Sequence, residues 1–86
     1  MNIIPCIHLF KELDTDEVIR IELINGNKIY YLPSDAISVE PNIIIIKKLI
    51  KNKRQQIIIN ANTISVICTM SRKTYEAKLQ RGELYV

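Results

Sequence analysis

The chain is expected to fold as a single mainly β domain: a small, strongly bent barrel of five to six strands, with a short helix before it and another after it. Three observations carry that expectation. The first is a recurrence between Tyr30-Tyr31-Leu32-Pro33-Ser34-Asp35-Ala36-Ile37-Ser38-Val39 and Ile57-Ile58-Ile59-Asn60-Ala61-Asn62-Thr63-Ile64-Ser65-Val66. Each copy is an apolar run, a short polar corner and then Ile-Ser-Val. Each also follows another β-type run across a turn, Val18–Ile24 in one case and Ile43–Lys47 in the other. The second observation is that isoleucine occurs eighteen times in 86 residues while aromatics are scarce. Branched side chains fit a pleated sheet better than a helix, so strands must do the packing. The third is punctuation: Asn25-Gly26, Pro33 and Pro41-Asn42 fall between the apolar runs, where turns are needed.

The elements follow in order. Pro5 can open a short helix over residues 5–13, with Cys6, Leu9, Phe10 and Leu13 at helical spacing. Ile3, Ile4 and Ile7 would suit an N-terminal strand instead. The barrel occupies residues 18–69. Val18, Ile19, Ile21, Leu23 and Ile24 interleave with Arg20 and Glu22, as in a half-buried strand. Asn25-Gly26 is a strong hairpin signal because both residues tolerate positive φ. Lys28–Leu32 returns, and Pro33 must interrupt the ladder because it has no N–H. Tyr30 and Tyr31 point to opposite faces, so one is expected in the core. Ile37-Ser38-Val39 resumes, and Ile43–Ile46 reads as a strand buried on both faces. Lys47–Arg54 is the charged end of a long hairpin, with Gln55–Ile59 coming back and Thr63–Thr69 closing the barrel. Ser71 is an N-cap for a helix over 71–82, with Tyr75 and Leu79 one turn apart and Gly82 as its stop.

Charge divides the chain. Residues 1–40 carry three basic and seven acidic groups, and residues 41–86 carry nine basic and two acidic. No carboxylate lies between Pro41 and Tyr75, yet Lys47, Lys48, Lys51, Lys53, Arg54, Arg72 and Lys73 do. A one-signed field of that kind attracts polyanions. The bland alternative is a solvated turn that keeps an oily hairpin soluble.

Catalysis has little to stand on. His8 is the sole histidine and has no obvious acidic partner, so no tuned acid–base pair is expected. No phosphate loop, nucleophile motif or metal-spaced cluster appears, and no cofactor is expected. Asp14, Asp16 and Glu17 read as a solvated loop. Cys6 and Cys68 are expected to be buried free thiols, because two distant cysteines make no zinc site. The N-terminus has no basic residues ahead of its apolar stretch, and no run is long enough to span a membrane. A reducing cytoplasm is the expected location.

Two segments resemble a known family. Asn42-Ile43-Ile44-Ile45-Ile46-Lys47-Lys48 resembles the end of the first Sm motif, in which an Asn precedes an apolar strand. Ile57–Ile67 looks like the second, where two apolar strands flank an Arg-Gly-Asn-type corner. The resemblance spans about residues 5–69 and implies an Sm-like (SH3-like) barrel. It also implies edge-to-edge assembly into a homo-oligomeric ring, and RNA or single-stranded nucleic acid bound around the pore. By motif position Asn42 resembles the base-contacting Asn, and Asn60 stands where the family has Arg. The chain departs from the pattern at Tyr31-Leu32-Pro33, where a Gly is usual, and at Ser38, where an acid is usual. Asn60-Ala61 replaces Arg-Gly, and the Tyr-Lys-His signature of bacterial Hfq-type members is missing.

The expected function is therefore non-catalytic, regulatory nucleic-acid binding. Phosphates would meet Lys47, Lys48, Lys51, Lys53, Arg54, Arg72 and Lys73. Bases would meet Asn42, Asn60, Asn62 and an exposed Tyr31. A protein-interaction or assembly module, such as a phage or mobile-element accessory protein, is the alternative. It would pair acidic and basic halves of neighbouring copies without binding nucleic acid.

Overall fold

The structure is a computed structural model that describes residues 7–82. Its elements are α1 (Ile7–Lys11), β1 (Glu17–Leu23), β2 (Lys28–Tyr31), β3 (Ala36–Glu40), β4 (Ile43–Ile50), β5 (Lys53–Asn60), β6 (Ile64–Ser71) and α2 (Arg72–Gln80). A 3-10 turn over Ala61–Thr63 joins β5 to β6. The helical reading of the N-terminal segment holds over Ile7–Lys11. Pro5 and Cys6 lie outside the described residues.

The strands form two three-stranded antiparallel sheets, β2-β1-β6 and β3-β4-β5, rather than a closed barrel. The division has a local cause at both crossings. Between β2 and β3 the chain passes Pro33, which offers no ladder donor. Between β5 and β6 the 3-10 turn interrupts the extended backbone. The recurrence in the sequence is the recurrence in topology. Each copy supplies a hairpin to one sheet, turns a corner and hands its third strand to the other sheet.

Asp35 builds the first corner. Its carboxylate accepts the Leu32 N–H at 3.0 Å, its own N–H donates to the Leu32 carbonyl at 2.9 Å, and its carbonyl accepts the Tyr31 hydroxyl at 3.1 Å. Lys48 reaches over from β4 to pair with the same carboxylate. Asn60 builds the second corner, accepting the Asn62 N–H at 2.9 Å while its carbonyl accepts the Thr63 hydroxyl at 2.7 Å. The two hairpin tips differ. In the β1–β2 turn only Gly26 takes positive φ (+88°), and Asn25 instead accepts the Asn27 N–H through its side chain. In the β4–β5 turn both central residues, Lys51 (φ 51°) and Asn52 (φ 63°), take positive φ, as a type I′ turn requires.

The main core lies between the sheets and collects Phe10, Ile19, Ile21, Tyr31, Ile44, Ile46, Ile59, Ala61 and Ile64. Fully burying one such isoleucine contributes about 2 kcal/mol, so this layer dominates stability. A smaller cluster lies on the outer side of β2-β1-β6, where Val18 and Tyr30 pack under Tyr75 of α2. Ser71 caps that helix by accepting the Thr74 N–H at 3.1 Å, and Gly82 follows it at φ +72°.

Three expectations need correction. Both Tyr30 and Tyr31 are buried, because α2 makes a second core where one face was expected to be wet. Ile43–Ile46 is not buried on both faces. Ile44 and Ile46 are fully buried, but Ile43 and Ile45 are half-exposed, and no helix of the described residues covers this sheet. Cys68 is a free thiol as expected, yet half-exposed rather than buried. Among the described residues no helix is long and apolar enough to cross a membrane.

Candidate nucleic-acid interface

The β4–β5 hairpin sets the geometry of the site. Ile44 pairs with Ile59 and Ile46 with Ile57, which turns these four side chains inward. Strict alternation then turns Ile43, Ile45, Lys47 and Leu49 outward, beside Arg54, Gln56, Ile58 and Asn60. Lys47 stands opposite Gln56, and Leu49 stands opposite Arg54. The exposed Lys51 and Lys53 sit at the tip. Lys47 and Arg54 thus face outward and Lys51 and Lys53 crowd the tip, which makes one end of the hairpin basic, with Lys53 opposite Ile50 on the other face. The acid on the outer face of this sheet is Glu40, which pairs with Ile43 at the opposite end.

The asparagines cluster at that opposite end. Ala61 N–H donates to the Asn42 carbonyl at 2.8 Å, which brings the β3–β4 turn against the second corner. Asn60 lies directly across from Ile43, and Asn42, Asn60 and Asn62 are all exposed. The side-chain oxygen of Asn60 is occupied by its capping bond. The seven strand steps from Ile43 to Ile50 put the asparagine corner roughly 23 Å from the basic tip. The residues proposed for phosphates and those proposed for bases therefore occupy two ends of one surface, not one pocket.

Two expected residues drop out. Lys48 faces inward and is held by Asp35, with side chains only 11% and 10% exposed. Its charge is spent on the corner, so it is a structural residue. Tyr31 is buried against Phe10, edge to face at 5.2 Å between ring centres, and presents no free face to a base. Burial, followed by the nearby Asp35, pushes its phenol up from the ordinary value of 10. Arg72 lies elsewhere. It donates to Glu76 at 3.1 Å and reaches the Thr15 carbonyl, on the side of the molecule that α2 covers.

His8 is exposed on α1, and its carbonyl accepts the Glu12 N–H. Asp14, Asp16 and Glu17, read from sequence as loosely spaced, bring one oxygen each within 4.8 Å of one another. Asp14 and Asp16 lie in the exposed α1–β1 loop and Glu17 opens β1, and the loop is tied down by Arg72 N–H donating to the Asp16 carbonyl at 2.7 Å. Sequence reasoning missed the apolar members of the hairpin face, Leu49 and Ile58. Their signal was available, since they alternate out of phase with Ile44, Ile46, Ile57 and Ile59.

No protein-family model, curated protein or solved structure matches this chain. The functional reading therefore rests on the surface itself.

Proposed function

We propose that the protein is a non-catalytic regulatory module of the Sm-like (SH3-like) barrel type that holds RNA or another single-stranded nucleic acid along the β4–β5 hairpin. One observation carries the reading: four exposed cations, Lys47, Lys51, Lys53 and Arg54, line a hairpin with no carboxylate of its own. Phosphates need such a cluster and nothing more elaborate. Asn42 and Asn62 would offer amides to bases at the far end, with Asn60 lending its remaining N–H groups.

The strand order supports the barrel type. If β2 and β3 are counted as one strand bent at Pro33, the order becomes the five-strand sequence of that fold, with a helix first and a 3-10 turn before the last strand. The long strands β5 and β6 sit at sheet edges, and pairing one to the other in neighbouring copies would build a ring. Phe10, Tyr30, Tyr31 and Tyr75 are buried, so no phenylalanine or tyrosine among the described residues can stack a base, and the exposed His8 lies on α1, not on the hairpin. Binding should accordingly discriminate poorly between bases.

The assembly-module reading draws on a different observation, the exposed Leu49 and Ile58 on the same hairpin. Native mass and ultraviolet absorbance of protein purified at low salt separate the two. The nucleic-acid reading expects an oligomer carrying absorbance at 260 nm that high salt strips away. A nucleic-acid-free oligomer supports the assembly module, and a nucleic-acid-free monomer contradicts both.

A further inference from the structure

The two sheets are topological counterparts, but among the described residues only one has its outer face covered. On β2-β1-β6 the chain supplies its own cover: Val18 and Tyr30 lie under Tyr75 of α2, flanked by Leu32 and Met70. On β3-β4-β5 no described element lies over the equivalent face. Ile45 stands directly across from Ile58 on one side and Ser38 on the other, Ile43 lies two residues before it, and Leu49 lies beyond Lys47. Ile58 is 64% exposed and Leu49 67%, and none of these four side chains belongs to either core cluster. Single exposed apolar residues are ordinary, but a contiguous set rimmed by charge marks an interaction surface.

Charge decides what covers it. A second copy presenting the same face would bring Lys47 and Arg54 against an identical pair, with Lys51 at the tip beside them and Glu40 the sole acid on each outer face. The α2 helix of a second copy is no better, because it carries Arg72, Lys73 and Lys78 against Glu76 and has already buried Tyr75. What fits is an apolar stripe flanked by carboxylates. We propose that the outer face of β3-β4-β5 docks an acidic amphipathic helix of a partner protein, placed as α2 is placed on the other sheet. Its apolar side chains would rest on Ile45, Ile58 and Leu49, and its carboxylates would face Lys47 and Arg54. The proposal shares Lys47 and Arg54 with the nucleic-acid reading, so the helix and a nucleic acid would compete, but it does not depend on that reading because its apolar centre contributes nothing to phosphate binding.

The test uses the full chain and two synthetic helical peptides with the same leucine stripe, one flanked by glutamates and one by lysines. The acidic peptide should become helical on mixing and shift amide resonances of β3, β4 and β5 while leaving those of β1 and β6 in place. The double variant Leu49→Thr/Ile58→Thr keeps strand propensity and should bind it at least about tenfold more weakly, as expected for losing buried apolar contacts. Far- and near-ultraviolet circular dichroism confirms that this variant is folded. The same variant should keep its oligonucleotide affinity. The proposal is overturned if the acidic peptide does not bind, if the lysine peptide binds equally well, or if the variant binds like the parent. A parent homodimer that Leu49→Thr/Ile58→Thr dissociates would also overturn it, by making a second copy the occupant.

Discussion

Lys51 occupies a position that its side chain does not favour. A type I′ turn asks for positive φ at both central residues, which Asn-Gly adopts readily, yet this hairpin places Lys-Asn there. An L-residue other than Asn or Gly in that conformation costs about 1 kcal/mol. A cation retained against turn geometry is the kind of local conflict that functional positions show. The variant Lys51→Asn/Asn52→Gly should therefore raise the urea midpoint, by about 1 kcal/mol in unfolding free energy, while weakening oligonucleotide binding. The buried tyrosines give a second residue-scale prediction. Tyr30, Tyr31 and Tyr75 all have phenols raised above 10 chiefly by burial, with Arg20 partly opposing this at Tyr30. The folded state then holds these protons more tightly than the unfolded chain. Their contribution to stability is fully present below pH 10 and is lost as pH rises through the raised values. Stability should be insensitive to these groups near neutrality and fall in the alkaline range, with phenolate absorbance appearing above the pH expected for free tyrosine. Some of this scale was legible in the sequence and some was not. Gly26, Ser71 and Gly82 act locally and could be read directly. The Lys48–Asp35 pair joins residues thirteen apart across a corner, and nothing local announces it.

At the scale of elements, alternation located β1, whereas β4 and β5 were marked by unbroken isoleucine runs that show neither their full length nor their faces. The phase of the alternation carries the functional information. In β4 and β5 the inward residues Ile44, Ile46, Ile57 and Ile59 leave Ile45 and Ile58 outside, a division hidden by unbroken runs of isoleucine. The second burial layer was not legible either, because the sequence does not say which sheet α2 will cover. That helix depends on its cap. Replacing Ser71 with alanine removes the acceptor for the Thr74 N–H and should cost about 1 kcal/mol. Loosening of α2 would expose the Tyr30–Tyr75 contact, whose ring centres lie 5.4 Å apart. Near-ultraviolet circular dichroism of Ser71→Ala should accordingly lose tyrosine signal at temperatures where far-ultraviolet strand signal persists.

At the scale of the molecule, charge and topology divide along different lines. The acidic first half and basic second half exchange strands, so each sheet contains pieces of both. The hairpin cations lie together because β4 and β5 are consecutive in one sheet, while Arg72, Lys73 and Lys78 form a second basic group on α2. The charge count along the sequence therefore runs together two separate surfaces, and Lys48 belongs to neither because it faces inward and pairs with Asp35. The central claim is that Lys47, Lys51, Lys53 and Arg54 together bind the phosphates of a single strand. It is tested most directly by fluorescence anisotropy of labelled oligouridylate and oligothymidylate against the full chain over a series of salt concentrations. With four phosphates neutralised, the logarithm of affinity should fall against the logarithm of salt with a slope of about −3. In the folded variant Lys51→Glu/Lys53→Glu/Arg54→Glu, binding should vanish or the slope should flatten to about −1 or less. No binding by the parent at low salt, or an unchanged slope in the variant, would contradict the account.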